Sequence, residues 1–570
     1  MSYYRILVIG TVDVLETCTV WNTYQDLKLA GHAVELMDVR RYKGLLRDDG
    51  EPDENVLGGL IERFAPDYIA CRGETADDVL AALAGTPAHD GPCPRHFLLF
   101  GFIGPGNFGD EFLTKTICEH LYERYPDCWV SIIGYATNKI LARHGLASVR
   151  VEHKALVNAW LNGASALVFL GGIIRDDPVE DNTTGIIDMF LNPRMQIPGQ
   201  TAMLELAYLH GVPAVFLGIG AGPLANPDSQ GMVRIGSFMG PRYLTRDAAT
   251  EQLLLDAGVD GALVSQKADL AWGARYPELP AATRRTLAEA GCEPGGYVVV
   301  SLREFETLTD ALEQAVASTL DALYERTGLH AAFLAFAPSD MAVHERVIAY
   351  MAHPECTLLL DTDDFDATTG VIRDAAFTLA MRLHCSLIAA AQGVPCIGLD
   401  YNVKVAETFV QLGAQQLCLP MDVTAQSLLA ACENVLNERE QLAAALQPVR
   451  QANGALVAQA YDELFAAIDA HEPHPTRQFP YTRCVSRETE QLRETRSTLA
   501  KERRAAARER KQLEKTKATL EKTRDTLAQT KAALAREREK SAQLAARLSR
   551  IENSRTWKLR CKLVKLLRRT

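Results

Sequence analysis

The chain has 570 residues, 47% of them hydrophobic, and a formal net charge of −12. That length suits about three or four ordinary domains, and with no unbroken apolar run of spanning length the composition argues for a soluble protein. The charge is divided: residues 485–570 hold 26 Lys and Arg against 11 Asp and Glu, while 1–484 hold 34 against 61. An acidic body speaks against nucleic acid as its ligand, and a basic tail points to an anionic partner.

In chain order, the opening MSYYRILVIGTVDVLE is too short in apolar residues for a signal peptide and reads as a first strand. Residues 1–85 predict a small N-terminal α/β unit with strands YRILVIGT, HAVELMDV and PDYIAC, and GTPAHDGPCP reads as a linker. Residues 95–275 alternate short apolar runs (HFLLFGF, WVSIIGY, ALVFLGG, PAVFLGIG) with helical stretches, the pattern of a parallel sheet covered on both faces. A second such set, YVVVSLR to PCIGLDY, occupies 290–470 together with closing helices. The expected fold class is α/β: two doubly wound Rossmann-like domains facing a cleft, GT-B-like, with ligands beyond the carboxyl ends of the strands. The thirteen cysteines are scattered without a C-x-x-C pair, which predicts reduced thiols in a cytoplasmic protein and no metal site.

Beyond the spacer HEPHPTRQFP, residues 484–553 predict a coiled coil. Leu492, Leu499, Leu513, Leu520, Leu527, Leu534 and Leu548 keep one heptad phase, with Ala506 and Ser541 in the gaps. The second seam is poor, carrying Thr516, Thr523 and Thr530, so a parallel homodimer, a lone charged helix and a different partner helix all remain open. Residues 554–570 hold seven basic residues and no acid, the composition of an amphipathic tail on anionic lipid or of a solvated end.

The segment GFIGPGNFGDEFL contains G-x-G-x-x-G in Gly104, Gly106 and Gly109. A dinucleotide loop also needs an acidic residue at the tip of the next strand, and Ala136 and Thr137 stand there instead. Asp110 and Glu111 would repel a pyrophosphate at the helix start, so a neutral ligand, or a capped turn alone, fits better. Glycine-rich turns recur at LGGIIRDD and LGIGAGPL. Arg246–Asp247 ends another strand, Arg382 and His384 sit where a strand gives way to a helix, and Lys404 follows the next strand.

Together, GNFGDE, the GG turn, GIGAGPL, TRD with LLLDAGV, SLR, RLH and GLDYNVK resemble the polysaccharide pyruvyltransferase family over 97–415. Two departures stand out: Ile173 follows Gly171 and Gly172 where the family has a third glycine, and ADLAW around Asp269 replaces Asp-Pro-Ala. The resemblance implies a GT-B-type enzyme that moves the pyruvyl group of phosphoenolpyruvate onto sugar hydroxyls as a ketal, in cell-envelope or exopolysaccharide synthesis. It implies no cofactor and no metal, only phosphoenolpyruvate as donor and a sugar, oligosaccharide or lipid-linked saccharide as acceptor. It also implies Arg246, His384 and Lys404 around the donor. On this reading His384 is the acid, Asp110 or Glu111 the base or the partner of the acceptor hydroxyl, and Arg382 an assistant or loop support. Asn107, Gly106, Gly109, Gly171, Gly172 and Gly220 shape the substrate loops. The alternatives are a nucleotide-sugar glycosyltransferase on the same scaffold, with Glu407 a weak ribose-binding candidate, and a non-catalytic scaffold for envelope enzymes. The tail suggests a peripheral position on the inner face of the cytoplasmic membrane.

Overall fold

A computed structural model of the chain describes residues 2–10, 19–38, 54–71, 73–134, 146–151, 154–171, 173–176, 196–360, 362, 364–471 and 531–567. Two compact units divide at Pro480.

In the larger unit, the first lobe is a parallel sheet whose strands lie in the order Val264–Gln266, Arg242–Thr245, Ala214–Ala221, Ala166–Leu170, His96–Gly101, Trp129–Gly134, Ala147–Arg150. Ile173–Ile174 pairs with the far end of Ala214–Ala221. The second lobe runs Thr357–Leu360, His330–Leu334, Tyr297–Ser301, Phe377–Ala380, Cys396–Asp400, Cys418–Pro420, again all parallel. Numbered within each lobe, both orders contain 3-2-1-4-5-6, the doubly wound topology of a Rossmann-like domain. The expected fold class therefore stands.

The central strands are apolar on both faces because helices cover both. In the first lobe, rings from four adjacent strands pack on one face: Phe100 edge-on to Phe169, Phe169 stacked on Phe216 with centroids 4.1 Å apart, and Phe216 stacked on Tyr243 at 4.6 Å. Each pair adds about 0.5–1.5 kcal/mol beyond simple burial.

The N-terminal unit is a three-stranded parallel sheet, ordered Ala33–Asp38, Arg5–Gly10, Tyr68–Ala70. Its core is continuous with the first lobe: Ile6, Val8, Leu36 and Val79 pack in one cluster with Leu98, Phe100 and Ile133. Polar groups cross the same boundary. Lys28 Nζ donates to Ala159 O at 2.7 Å, and Ser131 Oγ donates to Glu35 Oε2 at 2.9 Å while also meeting His96 Nε2. Burial raises the Glu35 carboxyl to about 7 and lowers the Lys28 ammonium to about 8. The breaker-rich segment read as a linker contributes His89–Asp90, a short strand antiparallel to Ser2–Tyr3.

After the second lobe, the helix Arg439–Asp469 returns to the first. Asp469 meets Arg95 at 3.0 Å and Arg124 at 2.7 Å, Glu463 meets the buried Lys267 at 2.6 Å, and Tyr461 stacks on His120. This strap holds the lobes as one body.

In the smaller unit the described residues are helical from 531 to 553 and over Arg555–Leu567. Leu534, Leu548 and Leu559 are exposed there. Leu492, Leu499, Leu513, Leu520 and Leu527, the greater part of the predicted heptad stripe, lie outside the described residues.

Candidate functional site

Each lobe has a switch point where strand order reverses, and the loops leaving the strands there diverge to open a crevice. In the first lobe the loops after His96–Gly101 and Ala166–Leu170 carry Gly171 and Arg175, and the first of them leads to Asp110 in the first turn of a helix. In the second, those after Tyr297–Ser301 and Phe377–Ala380 carry Arg303 and Arg382, and the latter leads to His384 in the first turn of the helix Leu383–Gln392. Arg246 follows the neighbouring strand Arg242–Thr245, and Tyr401 and Lys404 follow Cys396–Asp400. All of these residues line one cleft of about 370 Å³, together with Phe102, Asn107 and Ser339.

The helix Phe108–Arg124 starts at Asn107, whose side chain makes no cap bond but donates to Asp110 Oδ2. Its first N–H, that of Phe108, donates across the lobes to Phe336 O at 2.8 Å. Burial raises the Asp110 carboxyl to about 7, against the pull of His384, Lys404, Asn107 and Arg246. Asp110 therefore exchanges a proton near neutral pH. Glu111 departs from its expected role: it is buried, its Oε1 accepts the Gly106 N–H at 3.0 Å, and it is not among the residues that line the cleft. It closes the turn that presents Asp110.

The glycines matter because functional side chains rest on them. A Cβ at Gly109 would lie 2.0 Å from His384 Nδ1, one at Gly171 2.9 Å from Asp110 Oδ1, and one at Gly220 2.8 Å from the Arg246 guanidinium. Gly106 and Gly171 also hold φ of 88° and 57°, which side chains resist. Gly106 lies beside Pro338, on the second-lobe side. Gly172 lies outside the described residues.

Asp269 sits beneath the cleft and links two of the expected residues. Its Oδ1 caps a short turn by accepting Ala271 N–H, and its Oδ2 lies 3.7 Å from His384 Nε2 and 3.8 Å from Arg246 Nη1. Burial raises this carboxyl, but His384, Arg246 and the Ala271 amide outweigh it and hold it below its ordinary value. An ionised Asp269 thus faces both the imidazole and the guanidinium. Asp247 caps the helix Ala248–Asp256 through Thr250 N–H and stands 3.4 Å from Arg246 Nε.

Arg382 is committed elsewhere. Its Nε and Nη2 form a fork to both oxygens of Asp340, which is fully buried and also accepts the Ala337 N–H. The pair fixes the second-lobe loop at the cleft wall, so Arg382 is the loop support of the two roles expected for it. Lys404 and Arg303 differ: among the described residues neither has a carboxylate within ion-pair distance. Arg303 stacks near Tyr401 and Phe305 and donates to the Tyr401 hydroxyl at 3.1 Å. Its Nε, the Arg175 Nε and the His384 Nε2 have no hydrogen-bond partner among the described residues.

Sequence reasoning missed Arg303, Arg175, Tyr401 and the part played by Asp269. The SLR and GLDYNVK motifs contained two of them without marking which side chain faces the cleft. Glu407 lies in a narrow recess with Asp247 and Asp269, where burial raises its carboxyl. Among the described residues no group of three His, Cys, Asp or Glu side chains is placed to hold a metal ion.

Residues 107–403, more than half the chain, match the profile of the family described as polysaccharide pyruvyl transferase. A search of the curated proteins found no match. Solved structures resemble the chain at low identity. A protein from Listeria monocytogenes described as a UDP-N-acetylglucosamine 2-epimerase is 13% identical, with a TM-score of 0.47 over 68% of this chain and 98% of that one. The UDP-GlcNAc 2-epimerase of Methanocaldococcus jannaschii is 12% identical, with a TM-score of 0.44 over 65% and 99%. The Anabaena protein HepE, solved with UDP and glucose, is 10% identical, with a TM-score of 0.43 over 66% and 100%. The matched profile spans both switch points and every cleft residue from Asn107 to Tyr401, and on that evidence the chain belongs to the polysaccharide pyruvyl transferase family.

Proposed function

We propose that the protein transfers the pyruvyl group of phosphoenolpyruvate to two hydroxyls of a sugar, closing a cyclic ketal, in the synthesis of a cell-envelope or exopolysaccharide. The observation that carries this reading is the convergence of cationic side chains from opposite lobes on one small cleft, beside a carboxyl that titrates near neutrality. The donor bears a carboxylate and a phosphate within a few bonds, so it needs closely spaced fixed cations.

In this scheme Arg246 clamps the donor carboxylate and Lys404 faces its phosphate. His384, beside Asp269, protonates the methylene carbon. The double-bond electrons take that proton, and C2 becomes oxocarbenium-like. A sugar hydroxyl attacks C2 and gives its proton to Asp110, whose shifted carboxyl suits a base near neutral pH. A second hydroxyl of the same sugar then displaces phosphate at C2, which closes the ketal. Phe102, at the cleft wall, offers an apolar face to the acceptor ring.

The basic helix Arg555–Leu567 fits an anionic membrane surface, where lipid-linked acceptors reside, and the heptad stretch fits a pairing of two copies. The test is release of inorganic phosphate from phosphoenolpyruvate with a panel of free and prenyl-diphosphate-linked hexosides. Acceptor-dependent release that disappears in Arg246→Ala supports the reading. No release with any acceptor overturns it.

A further inference from the structure

The scheme above leaves one proton unassigned. Two hydroxyls lose protons and one proton enters the methylene carbon, so the other must leave with the phosphate. Tyr401 is placed for that transfer. It lines the cleft beside Lys404, its ring lies 5.6 Å from Lys404 Nζ, and Phe305 packs edge-on against it at 4.8 Å. Arg303 Nη1 donates to its hydroxyl oxygen at 3.1 Å. A guanidinium has donors only, so the phenol must be the acceptor in that bond. Its own O–H has no acceptor among the described residues and is available to a ligand in the cleft.

We infer that Tyr401 is the general acid that protonates the departing phosphate, with Arg303 as the positioning residue that holds the phenol and stabilises its phenolate. This rests on the pyruvyl-transfer reading. When the bond between C2 and the phosphate oxygen breaks, its electron pair stays on that oxygen, which takes the Tyr401 proton. The phenolate regains a proton from the second sugar hydroxyl as the ketal closes. Burial pushes this phenol up, but Lys404 and Arg303 outweigh burial and hold it below its ordinary value, which makes it a stronger acid.

The test compares the full chain with Tyr401→Phe at saturating phosphoenolpyruvate, using any acceptor that the wild type turns over. The expected result is a fall in kcat of about 10²-fold, the usual contribution of a positioned acid, with an unchanged thermal transition. A fall of less than about tenfold, or a rise in KM alone, overturns the inference while leaving pyruvyl transfer intact. A wild type without turnover refutes the reading on which it rests. Arg303→Gln, which keeps the phenol, carries the test should Tyr401→Phe lose its transition. Its kcat should fall at least tenfold, and an unchanged kcat overturns the assignment. Where both variants fold, combining them should add less than about threefold to the kcat loss of Tyr401→Phe, because the two act as one unit. Fully additive losses overturn the coupling.

Discussion

The imidazole of His384, from the second lobe, lies directly against the backbone of Gly109 in the first, so that a methyl group at position 109 would stand 2.0 Å from Nδ1. The contact joins the two switch points. It also explains why a glycine occupies the second position of a helix, where alanine would be the better helix former.

Gly109→Ala should therefore act on chemistry more than on stability. The methyl group displaces His384 from Asp269 and from the cleft, and a shift of about 1 Å at a reacting group costs about 10²-fold in rate. Turnover of Gly109→Ala, compared with its melting temperature, checks this. Wild-type kcat would show that His384 does not need its present position.

Asp110 gives a pH signature. Its carboxyl titrates at about 7 in the folded chain, above the roughly 3.9 of an unfolded aspartate. Between those values the unfolded chain has lost the proton that the folded chain keeps, so stability falls as pH rises, and above 7 the loss is complete and constant. Asp110→Asn should melt higher than wild type at pH 8, the difference should shrink below pH 7, and it should vanish near pH 4. The same variant should lose most of its turnover. Melting scans across pH 4–8 provide the check.

Arg382→Ala removes one half of a buried fork and leaves Asp340 charged and fully enclosed. Breaking such a pair costs about 3–5 kcal/mol. Denaturant unfolding should show a loss of this size, and Arg382→Lys should recover only part of it, because an ammonium cannot make both bonds.

Much of this arrangement is legible in the sequence. The apolar runs HFLLFG and ALVFL, each ended by glycine, mark central parallel strands, and their order puts the following loops at the crevice. Arg246, His384 and Lys404 stand out because each follows a strand end within a motif. What stays hidden depends on pairings distant in sequence. Arg303 meets Tyr401 across 98 residues, and Arg382 meets Asp340 across 42. Nothing local to Arg382 distinguishes a loop support from a ligand-binding cation. Glu111 adjoins Asp110 but turns away, because consecutive residues of a helix point about 100° apart. The N-terminal unit reads as separate because its breaker-rich exit resembles a linker; the core it shares with Leu98 and Ile133 forms only in three dimensions.

The tail gives a prediction independent of the cleft. Full-length protein should sediment with vesicles containing anionic lipid but not with neutral phosphatidylcholine vesicles, and high salt should release it. A chain ending at residue 553 should stay in the supernatant while keeping its melting temperature. Equal sedimentation of both chains would assign membrane binding elsewhere or to no segment.

The most direct test of the account is calorimetric titration of phosphoenolpyruvate and of a UDP-sugar into wild type, Arg246→Ala and Lys404→Ala. Cations from two lobes sharing one donor predict that phosphoenolpyruvate binds the wild type and weakens at least tenfold in each variant, since each loses a charge-assisted contact of about 1.5–3 kcal/mol. A wild type that ignores phosphoenolpyruvate, or variants that bind it as tightly as the wild type does, would contradict the account.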